Sequence, residues 1–310
     1  MTVIITSITS TPSPRYSMRS TALTDWLKSW PLVILPHHLL SGIVRAAARW
    51  QTAWWKNLLI NSFIRMFRVD MTEAQDPDPG HYPDFNSFFT RALNSAARPL
   101  ADQPQAIVSP VDGRISQIGS ISDGRLLQAK GQDYSLVTLL GGSEERARIF
   151  HGGSFATLYL SPRDYHRIHM PCTGQLTESI YIPGRQFSVA PAGVRTIPGL
   201  FSRNERLATL FDTAYGPMAL VMVGAIFVAC METVWDGVVR PTGPGIQARQ
   251  YHTGPGSGIE LRQGDEMGRF NMGSTVILLY GPERVRWLEG LAAEQPLRMG
   301  EIIGYFQSGP

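Results

Sequence analysis

The chain has 310 residues, 43% apolar and 17% charged, with a formal net charge of +3. This is ordinary for a folded soluble protein, and the length allows one large domain or a core plus an accessory element. The only cysteines, Cys172 and Cys230, make no disulfide framework and point to a reducing compartment, and no Cys/His cluster has the spacing of a zinc site.

The first 14 residues are rich in Ser, Thr and Pro and lack the basic start and apolar core of a signal peptide. Residues 1–21 are therefore expected to be disordered, with Met18 as an alternative start. Residues 22–68 read as helical, because Trp26, Leu27, Trp30, Leu39, Leu40, Ile43, Val44, Ala47, Trp50, Trp54, Leu58 and Phe63 recur at intervals of three and four. Pro31 and Pro36 divide that stretch. Between residues 15 and 68 lie eight Lys or Arg against the single acid Asp25, together with five of the seven tryptophans. The basic residues are interleaved with Leu, Ile, Trp and Phe, which argues against nucleic acid as the partner. The uncharged run of 16 residues at 29–44 is too short and too broken for a spanning helix. Tryptophans and cations beside an apolar face suit a helix lying in a bilayer interface; an ordinary core helix would carry Leu and Trp at the same spacing.

Asp76-Pro-Asp-Pro-Gly80 marks a break, and a short helix is expected after it, over residues 85–93. Residues 22–100 thus form a helical, membrane-associating segment. From Ala106 onwards the texture changes. Strands are predicted over residues 107–108, 114–118, 155–160, 176–182, 207–212, 218–229, 233–239 and 275–280, with Gly, Pro and Asp between them. A short helix is predicted over residues 283–293. The fold class is α+β: a β-rich core, sandwich- or barrel-like, over residues 101–310, with an N-terminal amphipathic helical segment.

Three segments carry candidate chemistry. Asp112 stands in a Pro-Val-Asp-Gly turn ahead of a strand, a place where a carboxylate usually serves nearby backbone amides. His166 and His169 lie in a segment bounded by Pro162 and Pro171, and histidine is the side chain best suited to proton transfer near neutral pH. Extended backbone would send the two rings to opposite faces; a helix would send them the same way. Gly273-Ser274-Thr275 leads directly into an apolar run. Glycine leaves its own carbonyl unshielded, so an activated Ser274 hydroxyl could attack it. Asp, His and Ser together form the set used to activate a serine nucleophile, but the Gly-x-Ser-x-Gly elbow of an α/β-hydrolase is missing around Ser274.

The segments Ser-Pro-Val-Asp-Gly-Arg-Ile (109–115), Ser-Pro-Arg-Asp-Tyr-His-Arg-Ile-His-Met-Pro (161–171), Arg-Asn-Glu-Arg (203–206), Glu-Thr-Val-Trp (232–235) and Glu-Met-Gly-Arg-Phe-Asn-Met-Gly-Ser-Thr-Val-Ile (266–277) resemble the bacterial phosphatidylserine decarboxylase proenzymes. The likeness extends upstream through Tyr-Pro-Asp-Phe-Asn-Ser-Phe-Phe (82–89) and covers roughly residues 22–305. Asn271 stands where basic residues are common in relatives. The resemblance implies that His169, oriented by Asp112, deprotonates Ser274, whose oxygen takes the acyl group of Gly273. Elimination then releases a β chain of residues 1–273 and leaves an α chain of residues 274–310 headed by a pyruvoyl group derived from Ser274. It further implies that position 274 is the Schiff-base site for phosphatidylserine and that His166 returns the proton after loss of carbon dioxide. The implied cofactor is this covalent pyruvate, with no metal. The implied partners are phosphatidylserine, an anionic membrane surface at the cytoplasmic side of the inner membrane, the α chain for the β chain, and a second copy of that unit in a homodimer. A serine hydrolase, a pyruvoyl decarboxylase of a free amino acid and a membrane-surface scaffold remain the alternative readings.

Overall fold

The computed structural model describes residues 24–27, 29, 37–101, 103–129, 131–226, 230–252, 258–271 and 274–307. The expected disordered N-terminus, Lys28, Trp30, Pro31, Pro36 and Gly273 lie outside the described residues.

A nine-stranded antiparallel sheet forms the body of the protein. Its strands run in the order Gln247–Gln250, Gly174–Ile182, Arg206–Thr213, Gly216–Val223, Ser274–Tyr280, Ser154–Leu160, Gly113–Ser120 and Pro296–Leu297, with Glu260–Leu261 also paired to Gly174–Ile182. The order runs from one edge to the other without closing, so the β-rich core is an open sheet rather than a barrel. Ser274–Tyr280 lies near its centre, and all seven of its residues are buried. It is paired residue by residue with Ser154–Leu160 on one side and, from Thr275, with Gly216–Val223 on the other. The run Thr-Val-Ile-Leu-Leu suits this place, because a strand covered on both faces needs no polar alternation.

A second sheet of four strands, ordered Gly237–Val238, Met231–Thr233, Glu266–Phe270 and Arg167–His169, lies beside the first in the chain path. A third contains Ala106–Val108, Ile302–Phe306 and Val285–Trp287. The expected helix over residues 283–293 is therefore not formed. Glu283 and Gly290 have positive φ (56° and 85°), and Val285–Trp287 pairs with Ile302–Phe306, a non-local contact that local periodicity does not reveal. The strand expected over residues 233–239 is instead a hairpin of Met231–Thr233 and Gly237–Val238, and the one beginning near residue 218 ends at Val223.

The N-terminal part is helical as expected, with helices His37–Ala48 and Ala53–Phe67. The helix predicted over residues 85–93 is only one turn, Phe85–Phe89, capped by the Asp84 carboxylate, which accepts from Ser87 N at 2.7 Å. These helices share a small aromatic core in which the Phe63 ring lies 4.5 Å from Phe67, 5.1 Å from Phe85 and 5.8 Å from Phe89. Much of their other apolar surface faces outwards: Leu39, Ile43, Trp50, Trp54, Leu58 and Met66 are all exposed.

Candidate active site

Backbone pairing brings the three sequence segments to one place. Leu160, the last residue of its strand, is in register with Ser274. The chain then turns sharply at residues 161–164, where the Asp164 carboxylate accepts from both the amide and the hydroxyl of Ser161 at 2.7 Å. It returns as Arg167–His169, paired with Glu266–Phe270, the strand that leads into Ser274. The carbonyl of His166 accepts from Phe270 N at 3.1 Å, and His169 N donates to the Pro110 carbonyl at 2.9 Å. Asp112 is drawn in by its neighbour Gly113, where a Cβ would stand 2.3 Å from the Tyr159 carbonyl oxygen. Only glycine permits that approach.

Around this junction lie several buried polar atoms with no hydrogen-bond partner among the described residues: Ser274 Oγ, Thr275 Oγ1, Asn271 Oδ1 and His166 Nε2. Interiors normally satisfy nine in ten or more of such groups, so their concentration at Asn271, Ser274, Thr275 and His166 makes this junction the candidate site. The amide nitrogen of Asn271 donates to Glu232 Oε1 and lies 2.9 Å from Cys230 Sγ, which anchors the segment entering Ser274.

The two histidines differ in environment. His166 is fully buried; its Nδ1 donates to the Asp164 carbonyl at 2.8 Å, leaving the Nε2 lone pair open. The Phe89 ring stands 4.1 Å from the imidazole. Burial, reinforced by the charge of Arg91, holds His166 down to about 3, so it is neutral at physiological pH. His169 Nδ1 lies 2.8 Å from the Gly264 carbonyl, which can only accept, so Nδ1 carries the proton. Its Nε2 then accepts from the Tyr165 hydroxyl at 2.9 Å. Burial lowers the His169 pKa as well, against a raising influence from the Gly264 contact.

Asp112 is held elsewhere. Its carboxylate accepts from Arg98 Nε and from Met299 N, each at 2.8 Å, and Arg98 Nη2 bridges to Glu73 at 2.7 Å. Among the described residues no hydrogen bond joins Asp112 to His169 or either of them to Ser274; Asp112 bears on His169 through its charge. Gly273, the other half of the expected cleavage site, lies outside the described residues. Tyr165, Arg98 and Phe89 are neighbours that motif reading passed over. Tyr165 precedes His169 by four positions within the quoted motif, whereas nothing local singles out Arg98. The Arg-Asn-Glu-Arg segment is scaffold: buried Arg206 donates to the carbonyls of Leu139, Thr138 and Asn204.

A sequence profile described as phosphatidylserine decarboxylase matches residues 85–305, and a second, described as PSD, matches residues 27–68. The phosphatidylserine decarboxylase proenzyme of Stutzerimonas stutzeri (strain A1501) is 53% identical over 271 residues, covering 87% of this chain and 91% of that protein. That of Nitrosococcus oceani is 53% identical over 282 residues, covering 91% and 92%. That of Pseudomonas aeruginosa (strain LESB58) is 52% identical over 270 residues, covering 87% and 93%. With more than half of its length matched by the profile and relatives of this identity along most of the chain, the protein belongs to the phosphatidylserine decarboxylase family.

Proposed function

We propose that the protein decarboxylates phosphatidylserine to phosphatidylethanolamine after cutting its own backbone between Gly273 and Ser274. The observation that carries this reading is the buried, unpartnered Ser274 hydroxyl at the mouth of the central strand, next in space to the histidine segment. A hydroxyl kept from every partner stays available for reaction at some cost in stability.

In the first stage His169 takes the Ser274 proton, and Asp112 stabilises the resulting imidazolium through its charge. For His169 to accept, the Tyr165 hydroxyl must turn away from Nε2 or pass its own proton along. The Ser274 oxygen bonds to the Gly273 carbonyl carbon as the C–N bond breaks, giving an ester and a free amine. Loss of the Ser274 α-proton and of the carboxylate leaving group then separates residues 1–273 from residues 274–310. Tautomerisation and hydrolysis release ammonia, and position 274 keeps a pyruvoyl group. The site suits such a group, because the side chain at 274 is buried and unbonded. When present, it supplies the electron sink that side chains alone lack.

In the second stage His166 returns a proton to the substrate's α-carbon. Burial keeps it neutral in the empty site, so it must first gain a proton, which an arriving anionic headgroup favours. The Phe89 face beside it offers a carboxylate little solvation, which favours loss of carbon dioxide. The exposed face of the two N-terminal helices and the apolar groove of about 320 Å³ lined by Val44, Ala47, Leu59, Phe63, Met66 and Phe85 fit a bilayer surface that brings the lipid to the site. No helix among the described residues is long and apolar enough to cross a membrane. The proposed location is therefore peripheral, on an anionic membrane.

Intact-mass analysis with carbon dioxide release tests the reading. The wild type should give two chains, the smaller beginning at position 274 and reactive to borohydride. His169→Ala should remain one chain, and His166→Ala should cleave without releasing carbon dioxide. An intact wild-type chain after maturation rejects the proposal, and the reverse behaviour of the two variants exchanges the histidine roles.

A further inference from the structure

A cavity of about 310 Å³ opens beside the site, lined by Asp112 and Tyr165 and by six arginines against four carboxylates. Arg98 is engaged by Asp112 and Glu73, Arg298 reaches Glu73 at 3.4 Å, and Arg163 lies 3.8 Å from Asp164. Arg91 differs. It is 4% exposed, yet among the described residues no carboxylate pairs with it. Its Nε and Nη1 have no partner, and its Nη2 has only a long 3.4 Å contact to the Arg163 carbonyl. The Phe88 ring lies 5.4 Å from the guanidinium carbon. A buried guanidinium with its donors unmade is costly, and a protein keeps one where a ligand completes it. Its position is as telling as its state. Arg91 lines the cavity, and its charge also bears on the buried imidazole of His166.

We propose that Arg91 and this cavity form the subsite for the phosphodiester of the substrate, an inference that rests on the decarboxylase reading above. The substrate carries two anionic groups, and the chemistry chooses between them. An arginine clamped on the carboxylate would stabilise the very charge that must leave as carbon dioxide, and so would slow the reaction. The phosphodiester is unchanged throughout, so binding energy spent on it helps every step equally. Arginine also suits it in geometry, offering paired N–H donors to two oxygens. As the phosphate arrives, the guanidinium exchanges its long contact to the Arg163 carbonyl for charged oxygen. The same event cancels the positive charge that bears on His166 and so favours its protonation. Headgroup binding thereby readies the group that must later give up a proton, while the empty site keeps that group neutral.

The test uses the matured two-chain protein with dihexanoyl phosphatidylserine as a soluble substrate. Arg91→Gln should cut itself as the wild type does but show a KM raised by about tenfold or more, the loss expected for a charge-assisted contact. Arg91→Lys should recover part of it. Glycerol phosphate, which has the phosphate but neither amine nor carboxylate, should inhibit the wild type competitively and lose that effect in Arg91→Gln. N-acetylserine, which has the carboxylate alone, should act equally on both. The Arg91 Nε–H resonance of the wild type should move on titration with glycerol phosphate, a readout that needs neither turnover nor a variant that folds. An unmoved resonance, or an unchanged KM with glycerol phosphate inhibiting both proteins alike, overturns the subsite. A shift confined to N-acetylserine would assign Arg91 to the carboxylate instead and likewise overturn it. Failure of the wild type to split or to release carbon dioxide, with the resonance still responding, would count against the reaction and not against the subsite.

Discussion

The buried serine hydroxyl gives a measurable stability. Ser274 is fully buried and its Oγ has no hydrogen-bond partner among the described residues, so replacing it with alanine removes a desolvated polar group without removing a hydrogen bond. That relief is worth about 1–3 kcal/mol. Against it stands the void left by one oxygen, roughly 10 Å³ at about 24 cal/mol per Å³, or about 0.2 kcal/mol. The net expectation is a gain of about 1–3 kcal/mol, which raises the Tm by about 1–4 °C in a chain of this size. The reference must be uncut, so the comparison is His169→Ala against His169→Ala with Ser274→Ala, both confirmed as single chains on a denaturing gel. Urea unfolding and calorimetry then isolate the hydroxyl. A double variant less stable by about 1 kcal/mol or more, the worth of an ordinary hydrogen bond, would show that Ser274 is bonded in the precursor and would remove the main support for a poised nucleophile.

Other consequences are equally direct. His166 titrates near 6.5 when unfolded and near 3 when folded, so the unfolded chain binds more protons and stability falls as pH drops from 6.5 towards 3. Between pH 7.5 and pH 5 the wild type should therefore lose about 2 kcal/mol more than His166→Gln in urea melts, and equal losses would contradict a buried neutral ring. Gly113→Ala places a methyl 2.3 Å from the Tyr159 carbonyl oxygen and should displace Asp112; normal self-cleavage on a gel would show that the close approach is dispensable. Arg98→Met leaves the Asp112 carboxylate without its buried partner and should cost about 3–5 kcal/mol by urea unfolding; a cost under about 1 kcal/mol would make the pair a surface contact in effect. Trp54→Glu combined with Leu58→Glu, on the exposed helical face, should abolish flotation with anionic vesicles while leaving self-cleavage intact, and undiminished flotation would reject that face as the membrane contact.

The sequence singles out the candidate site more fully than it does the scaffold. Asp112, His166, His169 and Ser274 are legible because dense motifs carry them, and the structure brings their segments together through backbone pairing. The strands alternate with turn residues strongly enough to be read singly. Sheet order is not readable, because it depends on contacts such as Ser274 with Leu160, more than a hundred positions apart in the chain. The same cause hid the strand Val285–Trp287, whose partner Ile302–Phe306 decides its conformation. Arg98 and Arg91 were invisible for another reason. An arginine in a charged surface stretch and one buried without a carboxylate look identical until burial is known. The motif also does not tell that Tyr165 occupies the His169 lone pair, since that follows from the direction of a side chain.

The placement of Ser274–Tyr280 near the middle of the large sheet bears on what a cut ahead of it would do. The severed C-terminal piece would remain laced between Ser154–Leu160 and Gly216–Val223, with further strands at Val285–Trp287, Pro296–Leu297 and Ile302–Phe306. It could not slip free without opening the body of the protein. Once denatured, however, the two pieces would have to meet again by diffusion, so renaturation would become second order and dependent on concentration. Processing would thus convert a molecule able to refold alone into one whose survival rests on never coming apart.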